Sequence, residues 1–455
     1  MAKKFKEYTL EDIAQHALVE YGFTPFFNHA VEQHLKRVHP PAFNKKHPNT
    51  VDLRNLLWSS IDNNDSQDLD QCEYAEKTHN GGIKIKIAIA DVDHFVERAD
   101  PIDKHASHNA TSLYTGIKVF SMLPEKLSHN LSSLLPNEDK LAIIVEYTVK
   151  RDGEIVPGDV YQAWVNNKAK LIYEEVGAWL ETPSEKQNPE WLHSRALAEQ
   201  LFLQTQAARR LAEYRQAQGM LEFESVEVKT IIEGNQVKGL YVPKRTWAHR
   251  IIEQFMVAAN QSMIHFLNRH QTPTIQRIVR VPERWGRIVD IAAEHNFKLP
   301  SEPDPVALRQ FLVLRQKKSP LTFPDLSLSI IKLIGRGEYE MVPPGKLGQG
   351  HFGLAVGNYT HSTAPNRRYV DLIIQRLVKA VLSKSPLPYT KRELVEFAAW
   401  CSERDASSKK VERFIRKIAA CMLLQDKVGE TFQGIVTGSS HKGVYVRLLT
   451  YNRVS

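Results

Sequence analysis

Apolar residues recur along the chain with two spacings, one typical of strands and one typical of helices. Residues 83–92, IKIKIAIADV, carry isoleucine at every second position from Ile83 to Ile89, which predicts a strand with one apolar face. Helical spacing predicts helices in longer segments, residues 186–216, 246–269, 367–382 and 391–424. Strand-like and helix-like segments alternate without an internal repeat, so the pattern predicts an α+β, or mixed α/β, fold.

The beginning of the chain has a pattern of its own. Residues 9–37 predict two short amphipathic helices separated by the sequence YGFTP, and Thr9 with Asp12 resembles a capping box. A linker rich in proline and basic residues follows at residues 40–50. We therefore expect a helical N-terminal module and linker over residues 1–48, which is either a helix-turn-helix-like unit or an extension that packs on the rest of the chain.

Composition and charge narrow the class of protein. The chain has 455 residues, enough for about two to four domains, and its net charge of +8 is compatible with nucleic-acid binding without requiring it. The three cysteines, Cys72, Cys401 and Cys421, are far apart and form no disulfide framework or zinc pattern. No apolar leader or membrane-length apolar run is present, so we expect a cytoplasmic protein with no membrane partner.

A high density of acidic and amide residues occupies residues 60–71, SIDNNDSQDLDQ. A calcium-binding EF-hand loop is a poor match, because the sixth position from Asp62 is Gln67 instead of glycine, and a strand is predicted where a helix should follow. Crowded carboxylates disfavour one another's charge unless a cation neutralises them, and their hard oxygens suit Mg²⁺ or Mn²⁺. Spacing alone leaves a solvated loop and a metal site as alternatives.

Several short motifs occur in a fixed order along most of the chain. They are DLR (52–54), SID…DLD (60–70), IADV (89–92), MLPEKLS (122–128), NKAKLIYEEV (167–176) and YTHSTAPNRRYVD (359–371). Together they resemble the RNB catalytic domain of the ribonuclease II and ribonuclease R family. The resemblance implies a catalytic domain over residues 49–424, with a central sheet surrounded by helices. It further implies a monomer that degrades single-stranded RNA by processive 3′→5′ hydrolysis, releasing nucleoside 5′-monophosphates with Mg²⁺.

The resemblance assigns roles to the acidic segment. Asp62, Asp68 and Asp70 fall on the first three of four aspartates in the family motif, which makes them expected catalytic residues and metal ligands. Gln71 falls on the fourth, where its amide oxygen can ligate a metal but brings no charge. The nearby Asp65 could compensate. Two outcomes remain open: an active enzyme, which the other intact motifs favour, or a catalytically impaired RNA-binding protein whose nuclease site decayed through Gln71.

The arginine motif supplies the other half of the implied site. Arg367 falls on the family arginine that stabilises the scissile phosphate, and its guanidinium can bind phosphate oxygens in bidentate fashion. Arg368 is either a second RNA contact or a structural ion-pair partner. Tyr359 is expected at the RNA-binding site. Pro365 is predicted to begin the next helix, whose N-terminus would then point at phosphate.

Two further residues are implied to bind the RNA 3′ end. Tyr173 resembles the family tyrosine that holds the 3′-terminal nucleotides, although an aromatic residue on an amphipathic helix is commonly a core residue. Glu403, in the sequence CSERD, aligns with a glutamate that contacts the terminal nucleotide.

The flanks of the implied catalytic domain depart from the family, whose members carry OB-fold domains on both sides. The helical module stands where the N-terminal pair would be. Residues 428–449 predict strands with a Gly/Ser turn that resemble the opening of the C-terminal OB-fold, so we expect an incomplete OB-fold over residues 425–455 and weaker RNA clamping. The glycine-rich residues 345–353 match no phosphate-binding pattern, and no nucleotide cofactor is expected.

Overall fold

The computed structural model describes residues 8–41, 50–181, 189–192, 194–224, 229–233, 236–241, 244–441 and 443–448. Its α-helices are α1 (Leu10–Glu20), α2 (His29–Leu35), α3 (Pro101–Asn109), α4 (Tyr173–Glu181), α5 (Arg195–Ala217), α6 (Trp247–Arg269), α7 (Trp285–Glu294), α8 (Pro305–Lys318), α9 (Phe323–Ile334), α10 (Tyr369–Ser383) and α11 (Lys391–Leu424). Its strands are β1 (Thr50–Asp52), β2 (Trp58–Asp62), β3 (Gln71–Lys77), β4 (Ile83–Ala90), β5 (Leu113–Tyr114), β6 (Val119–Phe120), β7 (Asp139–Val149), β8 (Ile155–Ile172), β9 (Lys229–Glu233), β10 (Gln236–Tyr241), β11 (Thr274–Ile278), β12 (Glu338–Val342), β13 (Gly434–Ser440) and β14 (Gly443–Leu448).

The central sheet has the strand order β1-β8-β2-β3-β4-β7. The long strand β8 pairs with both β7 and β2, so the sheet curls on itself. The predicted strand at 83–92 is confirmed by β4, and its isoleucine face is buried. Alternate positions are buried too: Ala88 and Ala90 are buried, and Lys86 is buried beside the carboxylate of Glu146. Both faces of β4 are therefore covered, and the buried lysine on the second face is neutralised by its ion pair with Glu146.

The mixed α+β fold is confirmed, and the apolar spacing located the long helices well. Helices α6 and α11 match their predicted bounds to within a residue. Helix α5 begins at Arg195, later than predicted, because the Ser194 hydroxyl accepts a hydrogen bond from the Leu197 N–H (3.2 Å) and caps the helix there. The N-terminal end of α5 is therefore set by a local capping hydrogen bond, which apolar spacing does not predict.

Helix α10 begins at Tyr369, so the prediction that Pro365 starts this helix is wrong. The N–H groups of Arg367 and Arg368 both donate to the Ala364 carbonyl, at 3.2 and 3.0 Å, and close a turn before the helix. No helix N-terminus stands at Pro365 to receive phosphate, and the arginine motif is presented by the turn instead.

The first N-terminal helix, α1, packs on the long C-terminal helix α11, whereas α2 packs on α3. The predicted capping box is confirmed, since the Thr9 hydroxyl accepts from the Asp12 N–H (3.1 Å) and the Asp12 carboxylate accepts from the Thr9 N–H (2.9 Å). Leu18 of α1 lies in one apolar cluster with Val411 of α11. This contact agrees with the packing alternative. Residues 42–49 of the predicted linker lie outside the described residues, and the boundary at residue 48 stays a prediction.

At the other end, β13 and β14 form the predicted antiparallel hairpin. Arg447 joins it to α9 through an ion pair with Asp325 (2.8 Å). Residues 449–455 lie outside the described part of the chain, and the incomplete OB-fold stays a prediction. Within the described ranges, none of the helices combines the length and the apolar character needed to cross a membrane.

Candidate active site

The acidic segment connects β2 to β3, and its backbone is anchored to the rest of the fold. The Lys170 ammonium donates to the Ser66 carbonyl (2.6 Å). The Ser133 hydroxyl donates to the Gln67 carbonyl (2.7 Å) and accepts from the Leu69 N–H (2.9 Å). A freely solvated loop would not make these hydrogen bonds to the rest of the fold. The geometry therefore favours an ordered functional segment over a solvated loop.

Antiparallel pairing brings the two ends of this segment together. Strand β2 ends at Asp62, and β3 begins directly after Asp70. Asp68 lies two positions before Asp70, and its carboxylate accepts a hydrogen bond from the Tyr114 hydroxyl (3.2 Å). The structure therefore places the three aspartates of the motif at one end of the sheet, with Gln71 as the first residue of β3.

Asp70 joins the acidic segment to the arginine motif across 296 positions of sequence. Its Oδ1 accepts a hydrogen bond from the Asn366 N–H (2.9 Å), and its Oδ2 lies 3.5 Å from Arg367 Nε. The Asp70 side chain is 3% exposed, whereas that of Arg367 is 41% exposed. A buried carboxylate thus holds one side of a guanidinium whose other side is open to a ligand.

Burial dominates the electrostatics of the aspartates. The pKa of Asp62 is raised to about 7, mainly by loss of solvation and in part by the neighbouring Asp68, against the opposing charges of Lys170 and Arg367. Loss of solvation likewise raises the pKa of Asp70 to about 8, although Arg367 lowers it. The positive charges of Lys170 and Arg367 therefore do not offset the increase in carboxyl pKa that burial causes.

The donor set fits a hard divalent cation. Asp62 Oδ2 and Asp70 Oδ2 are buried and have no hydrogen-bond partner, which is uncommon for polar atoms in a folded protein and is resolved by an ion or an ordered water. Among the residues that the structure describes, no group of three or more His, Cys, Asp or Glu side chains is already arranged as a metal site. The carboxylate oxygens are suitable ligands for a divalent cation, but the side chains are not already arranged around one position.

Arg368 is engaged inside the protein. Its Nε and Nη2 donate to the two carboxylate oxygens of Asp371 at 2.8 and 2.7 Å, and Asp371 is fully buried. Asp371 Oδ1 also accepts from the Ala364 N–H (2.8 Å). This arrangement favours the ion-pair alternative for Arg368 over direct RNA contact, and it ties the turn carrying Arg367 to α10.

The remaining predicted residues are spread around this centre. Tyr173 begins α4 and stacks on His249, with ring centroids 4.1 Å apart and planes 12° from parallel. Burial raises the pKa of Tyr173, and the charge of Asp62 adds to this increase. Tyr359 is buried, and Glu403 lies on α11 with an exposed carboxylate. In the described part of the chain, no contact joins Glu403 to the aspartates.

Tyr114 is a site residue that the sequence did not reveal. It lies on the short strand β5, between two of the quoted motifs, and its hydroxyl bonds Asp68. A single tyrosine in a two-residue strand produces no periodic signal, so only its partner in space identifies it.

The chain is similar to known proteins over most of its length. The model of the RNB domain matches residues 50–384. Ribonuclease R of Escherichia coli (strain K12) is 29% identical over 435 residues, which cover 92% of this chain and 52% of that protein. The chain therefore spans about half the length of this curated relative.

Solved structures share the fold. Mycoplasma genitalium RNase R in complex with ribose methylated single-stranded RNA superposes with a TM-score of 0.86 at 24% identity, covering 98% of this chain and 69% of that one. Yeast Ssd1, described as a pseudonuclease, superposes with a TM-score of 0.71 at 16% identity, covering 94% of this chain and 52% of that one. Because a pseudonuclease has the same fold, activity has to be argued from the site and not from the fold.

Proposed function

Because the chain belongs to the RNB domain family, we propose that it is a hydrolytic, metal-dependent and processive 3′→5′ exoribonuclease acting on single-stranded RNA. The observation that carries the proposal is the contact of Asp70 with Asn366 and Arg367, which unites the acidic segment and the arginine motif in one place. Buried carboxylates, of which Asp62 and Asp70 each keep one oxygen without a hydrogen bond, beside an exposed guanidinium are suited to binding and hydrolysing a phosphodiester.

In this mechanism each side chain has a separate task. Arg367 binds the scissile phosphate and offsets the negative charge that develops in the transition state, while Asp70 fixes the guanidinium and the turn at Asn366. A divalent cation held by Asp62, Asp68, Asp70 and Gln71 would supply Lewis-acid activation of the phosphate and the attacking water. Water oxygen bonds to phosphorus, the bond from phosphorus to the 3′ oxygen of the preceding nucleotide breaks, and a nucleoside 5′-monophosphate leaves.

The direct test uses 5′-labelled single-stranded RNA with Mg²⁺ or Mn²⁺. A processive exonuclease acting from the 3′ end converts the 5′-labelled strand to a short end product without a ladder of intermediates, releases unlabelled mononucleotides, and spares a circular RNA of the same sequence. Internal fragments or cleavage of the circle would instead indicate an endonuclease. Tight binding without any release would favour the RNA-binding alternative.

Replacement of Arg367 by alanine should lower the single-turnover rate by about a hundred- to a thousandfold, because it removes the group that balances charge on the phosphate. RNA binding should weaken less than the rate, since phosphate contacts elsewhere remain. Arg336, whose side chain is 70% exposed, offers a matched control for loss of one positive charge. Equal effects of Arg336→Ala and Arg367→Ala on the rate would contradict the assignment.

Replacement of Tyr173 by alanine should weaken binding of a short RNA 3′ end by about 1–3 kcal/mol, because one base would lose its stacking surface. Fluorescence anisotropy in EDTA measures this affinity without turnover. Tyr173→Phe keeps the aromatic face and should bind as the wild type does. If phenylalanine and alanine weaken binding equally, the ring does not act by stacking.

A further inference from the structure

The N-terminal helix α1 has a composition that does not suit contact with RNA. It carries three acids, Glu11, Asp12 and Glu20, and neither lysine nor arginine. Proteins bind RNA largely through basic side chains that pair with phosphates, and acidic side chains oppose this contact. The contacts on the buried side of α1 are therefore the ones that can matter to the candidate site.

The buried side of α1 packs on the short hairpin formed by β5 and β6. Leu18 lies in one apolar cluster with Leu113 of β5 and Phe120 of β6. At the edge of this cluster the Lys118 ammonium, in the turn between the two strands, donates to the Glu11 carboxylate (2.7 Å). Each strand has only two residues, and so short a hairpin is not stable by itself. Packing against α1 and α11 therefore holds it in place.

The loop after α1 holds the chain just before this hairpin. The Thr24 N–H donates to Asn109 Oδ1 (2.9 Å), and Asn109 Nδ2 donates to the Thr24 carbonyl (2.9 Å). Asn109 is the last residue of α3, and its side chain is buried. We call residues 109–120, from Asn109 to the end of β6, the hairpin segment. The N-terminal module therefore contacts the hairpin segment at both of its ends.

The hairpin segment also joins the two halves of the candidate active site. The Ser112 N–H and the Thr111 hydroxyl both donate to the Arg367 carbonyl, at 3.0 and 3.3 Å. Two residues after Ser112, the Tyr114 hydroxyl donates to the Asp68 carboxylate (3.2 Å). One short segment therefore contacts the backbone of the arginine motif and the side chain of an aspartate in the acidic segment.

Packing alone is the competing explanation. An amphipathic helix covers apolar surface wherever it lies, and α1 also contacts Val411 of α11. If α1 only covers this surface, weakening its packing lowers stability and leaves the geometry of the acidic segment unchanged. The two explanations therefore differ in whether a change in α1 reaches Asp68.

We propose that α1 is a positioning element of the active site, which holds the hairpin segment where Tyr114 bonds Asp68. The same packing keeps Ser112 on the backbone of Arg367. Tyr114 is then a positioning residue, because it acts on the reaction through the Asp68 carboxylate. The expected effects on hydrolysis rest on the proposed function, whereas the chain of contacts from α1 to Asp68 is measurable without turnover.

Single-turnover hydrolysis at saturating RNA tests whether α1 acts through Tyr114. Tyr114→Phe removes only the hydroxyl and should lower the rate by about ten- to a hundredfold, as loss of a group that orients a site carboxylate does. Its affinity for RNA in EDTA should equal that of the wild type, because the ring is kept. Leu18→Ala should lower the rate by about three- to tenfold alone, but by less than about twofold when added to Tyr114→Phe, since changes along one path are not additive.

Hydrogen–deuterium exchange of the full chain in EDTA without RNA measures the contacts independently of activity. Leu18→Ala should speed exchange in peptides that cover residues 109–114 and 63–70, because both depend on the position of the hairpin segment. Leu308→Ala is a matched control, since Leu308 is fully buried in a separate apolar cluster. It should leave the rate and the exchange of both peptides as in the wild type.

Three results would overturn the inference and leave the proposed nuclease intact. They are faster exchange confined to α1 and α11, a fully additive loss of rate in the double variant, and an equal loss of rate in Leu308→Ala. If the wild type does not hydrolyse RNA, the proposed function fails, and the exchange of residues 109–114 and 63–70 alone decides the inference. Circular dichroism identifies an unfolded Leu18→Ala, and Leu18→Val then replaces it with the same expectations.

Discussion

Asp70→Asn should lower the rate of RNA hydrolysis by about a thousandfold or more while leaving the protein folded. The substitution keeps an oxygen to accept the Asn366 N–H, so the turn is retained. It removes the charge that holds Arg367 and one of the expected metal ligands. Single-turnover hydrolysis of labelled RNA measures the rate. Equal mononucleotide release from the wild type and the variant would show that Asp70 is not catalytic.

The same substitution should not destabilise the protein when divalent ions are removed. The pKa of Asp70 is raised to about 8 in the folded protein, so its ionisation opposes folding as the pH rises from the ordinary carboxyl range towards 8. A neutral amide carries no such cost. In EDTA at pH 8, thermal unfolding of Asp70→Asn should therefore occur at an equal or higher temperature than that of the wild type.

Asp65→Asn, in the same segment, is a control that separates the loss of one negative charge from the loss of the Asp70 side chain in particular. Asp65 is exposed, and Asp65→Asn should change neither the rate nor the unfolding temperature. If Asp65→Asn reduces hydrolysis as strongly as Asp70→Asn does, then net negative charge in the segment matters and the contact with Arg367 does not. An unfolding temperature of Asp70→Asn well below that of the wild type would mean that Asp70 stabilises the fold.

The sequence predicted the long helices, which have many turns of regular apolar spacing. It did not predict the features of the fold that depend on individual contacts. Helices α6 and α11 have many turns of apolar spacing, and their bounds were correct. The pairing of β8 with both β7 and β2 depends on contacts between distant segments, which leave no local trace. The start of α10 was predicted wrongly for a related reason. A proline predicts a helix start, but hydrogen bonds to the Ala364 carbonyl close a turn at that point.

The site shows the same division. The spacing of Asp62, Asp68 and Asp70 marked the acidic cluster, but its meeting with Arg367 followed from a family resemblance and not from any pattern in the residues. The different roles of neighbouring residues of the same type depend on burial, which the sequence alone does not show. Arg368 and Arg367 are adjacent and identical in type, yet one is paired inside the protein and the other is open to solvent.

Removal of the Asp371 carboxylate should cost about 3–5 kcal/mol of unfolding free energy, because it leaves the Arg368 guanidinium, whose side chain is only 19% exposed, without its partner. Asp371 is fully buried and accepts three hydrogen bonds, two from Arg368 and one from the Ala364 N–H. Denaturant unfolding of Asp371→Ala, followed by tryptophan fluorescence, measures the loss. The exposed pair of Arg54 and Asp139 provides the contrast, since Asp139→Ala should cost less than about 1 kcal/mol.

A double variant separates the stability of this pair from its role in the site. Arg368→Met with Asp371→Leu removes both charges and should recover much of the stability, because apolar residues of similar size can replace a buried ion pair. Activity should remain low in the double variant, since the Ala364 N–H has lost its acceptor and the turn that carries Arg367 is no longer tied to α10. Recovery of both stability and hydrolysis would show that the pair only fills space. Loss of activity in a well-folded double variant would show that the pair of Arg368 and Asp371 does more than fill space and is needed for the site.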